Sequence, residues 1–329
     1  MRGRAMGQAS EEVLTMRIQQ LLILLAGVYA CSAQIQQDRL CGSNMANLWL
    51  DVVTVVDTSR GMTNGGLSSV DSNLASIFTA CTFGSRADNP RTTRVALVTY
   101  NQNATVNADL NQFKAPEDLM SSVQNGDGSL LADLSRIASP RFNFSNTNAG
   151  ANLLEDVQGA LLEANCFCPN MWHQFRDRYG DLNSKPYGVC VQPVGLVAVW
   201  QAAKFSCANR FPNSSLATEY SLTKHNFILN AVKNTTGCNA PYYYHIGLNY
   251  NNNGWFWDQP DGFPPQPVQG WEYWSPGYPS AWSSASGGMN APYSIGTCWQ
   301  NVAKTNQGKN YVCETFTCDT DNYCASTDG

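Results

Sequence analysis

The stretch Tyr242–Tyr278 constrains this chain most tightly. It carries Trp255, Trp257, Trp271 and Trp274 among tyrosines, prolines and glycines. Rings of that size bury a large apolar area, so they pack one another or wall a pocket. Trp255 and Trp257 are two apart and share a face if they lie on a strand. Tyr244–Leu248 before them reads as a short buried strand. Asn249–Gly254 reads as a tight turn, because Asn and Gly tolerate positive φ. Trp271 and Trp274 return from a Pro- and Gly-rich loop to meet the first pair. The stretch predicts a small aromatic core that holds up a long irregular loop.

Leu21–Ala30 is an apolar run behind Arg17, too short to span a bilayer. It predicts a signal peptide within residues 1–33, cleaved after Ala30 or Ala33. Met16 offers a second start, which would make residues 1–15 an upstream extension. No later run is long and apolar enough for a membrane span, so the expectation is a secreted, extracellular protein. The twelve cysteines suit that oxidising compartment, and loss of Cys31 with the leader leaves an odd number. Sequons at Asn103, Asn143, Asn213 and Asn234 predict glycosylation. Twenty basic residues against 25 acidic give a net charge of −5. That balance argues against a nucleic-acid partner and offers no basic membrane patch.

Residues 41–165 alternate strand and helix patterns, which predicts an α/β domain. Val52–Val56 is nearly unbroken apolar sequence and reads as a central strand buried on both faces. It ends at Asp57-Thr-Ser59, where a carboxylate and a hydroxyl past a strand end suit a cation such as Mg²⁺. Leu67, Val70, Leu74 and Phe78 have helical spacing. Arg94–Tyr100 is a second strand and Thr105–Leu110 an edge strand. Helices are predicted over Pro116–Val123, Leu130–Ala138 and Leu153–Ala164, with a very short strand at Phe142–Phe144.

The run VVTVVDTS, its helix and RVALVTYN resemble a von Willebrand factor type A domain, which is Rossmann-like. The resemblance implies a cation site that opens with Asp-x-Ser-x-Ser. Asp57 and Ser59 match, and Gly61 replaces the second serine. The family's later aspartate-bearing strand has no counterpart here, and Thr147 falls after the last predicted strand. The domain therefore reads as truncated, with Asp57 and Ser59 as relics of the site. A sheet that loses inner strands leaves unpaired apolar edges.

Cys166-Phe-Cys168-Pro169 marks a boundary. Val197–Cys207 and Thr223–Lys233 have amphipathic helical patterns, and Tyr311–Glu314 reads as a closing strand. Trp172, Phe175 and Tyr179 pack an opening strand and turn. Helices followed by short strands and a long loop, stapled by cysteines, predict an α+β domain over residues 168–314. A cysteine-containing tail, residues 315–329, follows it. His225 reads as a helix-surface residue and His245 as part of a core strand. Asp181, Glu219 and Asp321 read as surface carboxylates. No nucleophile–base pattern or metalloprotease spacing occurs, so no enzyme activity is expected.

Cys168-Pro-x-x-Trp172, WQAAKFSC, His245-Ile-Gly-Leu248, GWFWDQPDG and YVCE together resemble a long-form C-type lectin domain. The order of the two domains, and the DTDNYC tail, resemble nematode secreted proteins that pair them. The resemblance implies the disulfides Cys168–Cys190, Cys207–Cys313 and Cys318–Cys324. It leaves Cys41–Cys81 and Cys238–Cys298 as guesses. In sugar-binding relatives, Ca²⁺ is held by a Glu-Pro-Asn or Gln-Pro-Asp loop and by a later Trp-Asn-Asp run. Here Tyr278-Pro-Ser280 and Gln300-Asn301 stand at those places, so the usual carboxylates are missing. Gln259-Pro-Asp261 spells the triplet but comes too early. Asp258, Asp261 and Glu272 remain as the carboxylates for a structural Ca²⁺ ion in the long loop.

Two function classes follow. One is a secreted lectin-like module that binds a glycan, in innate defence. It would use Trp271, Trp274, Tyr278, Ser280, Gln300 and Asn301. The other is a protein-binding or structural extracellular module built on the same fold.

Overall fold

The computed structural model describes residues 36–58, 64–85, 88–101, 103–121, 142, 144, 152–251, 254–281 and 285–324. The expected signal peptide, Ser59, Gly61, Thr147, Asn143 and the helix over Leu130–Ala138 lie outside them. Contacts divide the chain into two units. One is Met1–Gln37 with Gln269–Glu272; the other is Asp38–Val268 with Tyr273–Gly329 and holds every described element.

Three strands open the second unit: β1 (Asp51–Asp57), β2 (Arg94–Tyr100) and β3 (Ala104–Ala108). β1 runs parallel to β2, and β3 antiparallel to β2. Helix α1 (Asn64–Phe78) lays Leu67 and Phe78 into a core with Val56, Val95 and Leu97. Helix α2 (Leu153–Ala164) starts at Asn152, whose side chain accepts from the Glu155 amide. Glu155 and Asp156 fill its first turn, where carboxylates favour the positive end of the helix dipole. Val157, Leu161 and Leu162 rest on the same core.

Three expectations differ from the structure. Val52–Val56 was expected to be buried on both faces. In the described sheet, β1 is the end strand, and Val53 and Val55 are 56% and 57% exposed. Among the described residues no further strand pairs with β1, so its outer edge is unpaired. Pro116–Ser121 is 3₁₀ helix where the expected helix over Pro116–Val123 began, and residues 122 and 123 lie outside the described residues. The Asp118 carboxylate accepts from the Lys114 and Ala115 amides and ties the turn at its start. Phe142 and Phe144 are not in a strand.

The second region is built on β5 (Pro186–Ala198), whose length the sequence did not announce. β4 (His173–Arg176) pairs with one edge of β5 and β12 (Lys309–Phe316) with the other. The sheet continues through β7 (Tyr244–Asn251), β10 (Gly287–Tyr293) and β11 (Gly296–Val302). β6 (Ser215–Leu216) joins β12, while β8 (Gly254–Trp257) and β9 (Gln266–Pro267) extend from β7. Helix α3 (Trp200–Ala208) begins later than its pattern predicts, because Val197 and Ala198 belong to β5. Trp200 is buried, and its indole N–H donates to the Ile246 carbonyl at 2.9 Å. Helix α4 (Leu222–Lys233) is capped by Ser221, whose hydroxyl accepts from the Lys224 amide.

The disulfides are Cys41–Cys166, Cys168–Cys190, Cys207–Cys313 and Cys318–Cys324. Cys41 therefore pairs with Cys166 and not with Cys81, while Cys81, Cys238 and Cys298 are buried free thiols. The segment before β1 is fastened to the second region. Arg39 makes a two-pronged ion pair with the buried Asp319, at 2.6 and 2.8 Å. Burial opposes ionisation of Asp319, but Arg39 and Thr317 outweigh it and hold its pKa low. Trp49 packs edge-on against Phe167 and Tyr323. The cysteine-closed tail is thus a clasp for the N-terminal segment.

Candidate functional site

The long loop leaves β9 and returns at β10, and its base is a chain of indoles. Trp257 packs edge-on against Trp299 at 5.2 Å, Trp299 against Trp274 at 5.6 Å, and Trp274 against Trp255 at 4.9 Å. Trp257 and Trp299 are fully buried. Trp274 thus joins the aromatic core, as a support for the loop. Trp271 lies with Gln269–Glu272 in the other unit, where its amide donates to the Gln269 carbonyl. Trp299, outside the stretch Tyr242–Tyr278, is the centre of the indole chain.

Beneath Trp299 lies a buried polar network that the sequence did not disclose. Glu219 is fully buried and accepts three hydrogen bonds. These come from Trp299 Nε1 at 2.6 Å, His225 Nδ1 at 2.8 Å and Asn290 Nδ2 at 2.9 Å. Thr297 Oγ1 stands 3.2 Å from His225 Nε2. The surface placements of Glu219 and His225 are therefore corrected. Two of the donors that hold Glu219 come from β10 and β11, 71 and 80 residues away, and the third from α4, six residues on. Burial alone would lower the His225 pKa, but the Glu219 carboxylate outweighs it and raises it. His245 is also buried; its Nε2 lies 3.1 Å from the Ala198 and Gln307 carbonyls, and burial pushes its pKa down to about 4.

A second buried charge cluster pins α4. Lys224 is fully buried and meets Asp38 at 2.5 Å and Glu314 at 2.8 Å. Desolvation works against its charge, but the two carboxylates win and raise its pKa. Glu314 also accepts from the Thr218 amide and hydroxyl, so the closing strand, α4 and the N-terminal segment share one network.

The loop residues expected at the family's ligand positions do come together. The Ser280 amide and hydroxyl donate to Asn301 Oδ1 at 2.7 and 3.1 Å. Asn301 Nδ2 donates to the Ser280 and Ala285 carbonyls, both at 2.9 Å. Asn301 is buried, and its amide is fully occupied in tying the loop to β11. Gln300 Nε2 reaches Ser275 Oγ at 3.4 Å. Tyr278 is half-buried, its amide donates to the Ser275 carbonyl at 2.9 Å, and its peptide bond to Pro279 is cis.

A Ca²⁺ ion needs six to eight oxygens, mostly carboxylate. Tyr278, Ser280, Gln300 and Asn301 supply no carboxylate, and the one amide oxygen best placed is already shared by two donors. These residues do not fit the ion. Among the described residues, no three His, Cys, Asp or Glu side chains group as metal ligands. Asp258 is buried and its Oδ1 meets Lys204 at 2.8 Å, while Asp261 is exposed. Glu272 lies in the other unit. In the first region, Asp57 closes β1 beside Tyr100, whose pKa is raised by burial and by the Asp57 charge. Asn103, Asn213 and Asn234 are all exposed. No helix among the described residues is long and apolar enough to cross a membrane.

Residues 197–315 match the family model of the lectin C-type domain. Residues 51–153 match that of the von Willebrand factor type A domain. C-type lectin domain-containing protein 160 of Caenorhabditis elegans is 28% identical over 217 residues. That alignment covers 62% of this chain and 32% of the relative, so the chain spans about a third of the length of the relative it matches. Among solved structures, the C-type lectin CEL-I of Cucumaria echinata is similar at 20% identity and a TM-score of 0.35. It covers 45% of this chain and 98% of its own. Human lithostathine is similar at 18% identity and a TM-score of 0.36, covering 45% of this chain and 90% of its own. The β-rich part of the chain has a C-type lectin-like fold, preceded by a mixed α/β region that matches a type A domain.

Proposed function

We propose that this chain is an extracellular, lectin-like binding protein that recognises a glycan without calcium. One observation carries the reading: the Asn301 amide is spent on Ser280 and Ala285, where a calcium-dependent site needs free oxygens. The loop's remaining recognition groups are Tyr278 and Gln300. Rings with neutral hydrogen-bonding groups suit sugar faces and hydroxyls. Export after removal of residues 1–33, and glycosylation at Asn103, Asn143, Asn213 or Asn234, belong to the same reading. It is supported by the disulfides and by the exposure of the three described sequons. The test is a glycan array probed with the full secreted chain, in Ca²⁺ and again in chelator. Binding should be equal in both; binding that chelator abolishes would overturn the proposal.

A second reading, a protein-binding module, is favoured by the open face of β1. Val53 and Val55 there are more than half exposed. Apolar side chains side by side on a strand face suit a protein surface better than a sugar. A folded chain that is silent on the array would move the weight to this reading.

A further inference from the structure

A groove of about 410 Å³ lies between α4 and the turn that joins β10 to β11. Its volume falls within the range of small-molecule sites. One wall is a single stripe of α4, with His225 and Leu229 buried at the floor. Asn226, Asn230 and Lys233 stand exposed along the rim. The other wall is Tyr273, Tyr293 and Ile295, the last entirely exposed. Ser294, between Tyr293 and Ile295, adopts φ +52°, a conformation such turns usually give to Gly. The turn therefore presents a bare isoleucine beside a half-exposed tyrosine, at some conformational cost.

The chemistry of the lining narrows the ligand. Tyr293 and Tyr273 offer ring faces. Asn226 offers an amide for hydroxyl groups; Asn230 Nδ2 donates to the Asn226 backbone carbonyl at 2.9 Å, so Asn230 offers its Oδ1 as an acceptor. Lys233 is a cation with no ion pair among the described residues, and no Asp or Glu lines the groove. Ring faces, amides and one unopposed cation suit a sugar that carries a carboxylate. A peptide added as a strand would need the free edge of β11. Tyr273 and Ser275 already cover that edge, since the Trp299 amide donates to the Tyr273 carbonyl and the Ser275 amide to the Trp299 carbonyl.

We infer that the groove between α4 and the β10–β11 turn is a metal-independent site for a carboxylated sugar residue. It is separate from the Ser280–Asn301 clamp and does not rest on that loop binding anything. Lys233 holds the carboxylate, Asn226 and Asn230 hold hydroxyls, and Tyr293 covers the ring.

The test is calorimetric titration of the full secreted chain with methyl β-glucuronide and methyl β-glucoside, which differ only at C6. The glucuronide should bind about fivefold more tightly, the worth of one exposed charge pair. Lys233→Gln should abolish that preference, and Tyr293→Ala should weaken both sugars. Leu196→Ala, an exposed position on β5 outside the groove, should change neither. Lys233 and Tyr293 are surface residues, so the variants should keep the wild-type melting temperature. Equal affinity for the two sugars, no binding of either, or a Lys233→Gln variant that keeps the preference would overturn the assignment. So would a short oligoglutamate peptide that binds as tightly as the glucuronide through Lys233.

Discussion

Removing the Glu219 carboxylate tests the buried network most directly. Glu219 accepts from Trp299, His225 and Asn290 with no access to water. Glu219→Ala leaves three buried donors unsatisfied and the His225 charge unpaired. Breaking one side of a buried pair costs about 3–5 kcal/mol. Glu219→Gln keeps the shape and one acceptor but loses the charge. Asn290 Oδ1 has no partner among the described residues of the wild type, so its amide can turn over and accept from the new Gln N–H. We therefore expect Glu219→Gln to cost about 1–2 kcal/mol.

The pH dependence separates charge from shape. With Glu219 present, the folded pKa of His225 is raised. Its stabilisation is then full below the unfolded value and is lost as pH rises through the folded one. In Glu219→Gln, burial alone remains and lowers the pKa, so protonation now works against folding. The gap between wild type and Glu219→Gln should therefore widen from pH ~8 to pH ~5.5. Urea unfolding followed by tryptophan fluorescence at both pH values measures it, because Trp299 sits in the network. A gap that does not change with pH would refute the charge argument. An Ala variant within about 1 kcal/mol of wild type would refute the network itself.

Three further outcomes are expected. Asn301→Ala removes the bonds to Ser280 and Ala285, and should expose the loop to limited proteolysis and cost about 1–3 kcal/mol, with melting temperatures unmoved by chelator. Gly188→Ala would place a methyl 2.3 Å from the Leu40 carbonyl oxygen, so it should displace the N-terminal segment and cost about 1–3 kcal/mol in urea unfolding. Cys81, Cys238 and Cys298 are buried free thiols, and burial raises the pKa of each, that of Cys81 to about 11. A thiol reagent should label them only after denaturation.

Much of the architecture was readable because its signals are local. Arg94–Tyr100 and Leu153–Ala164 form the predicted elements with the predicted bounds, since their apolar spacing lies within each segment. The aromatic core was also legible, because Trp255, Trp257 and Trp274 crowd one stretch. β5 was not. Pro186, Gly188, Pro193 and Gly195 interrupt it, and these residues normally mark turns. The ladder to β12 holds it extended regardless, and Gly188 and Gly195 are where other backbone segments press closest.

The candidate site divides in the same way. The missing carboxylates at Tyr278, Ser280, Gln300 and Asn301 are a property of sequence alone. That Asn301 is consumed as a clamp depends on Ser280, 21 residues away. Glu219 and His225 looked like surface residues because their mutual contact spans the turn before α4 and their other partners are distant in sequence. Their burial is set by Trp299, Asn290 and Thr297 arriving from two later strands. Composition and periodicity determine which segments become helix or strand and which compartment suits the cysteines. Tertiary structure decides which polar groups leave water, because a buried carboxylate or imidazole survives only where distant donors converge on it.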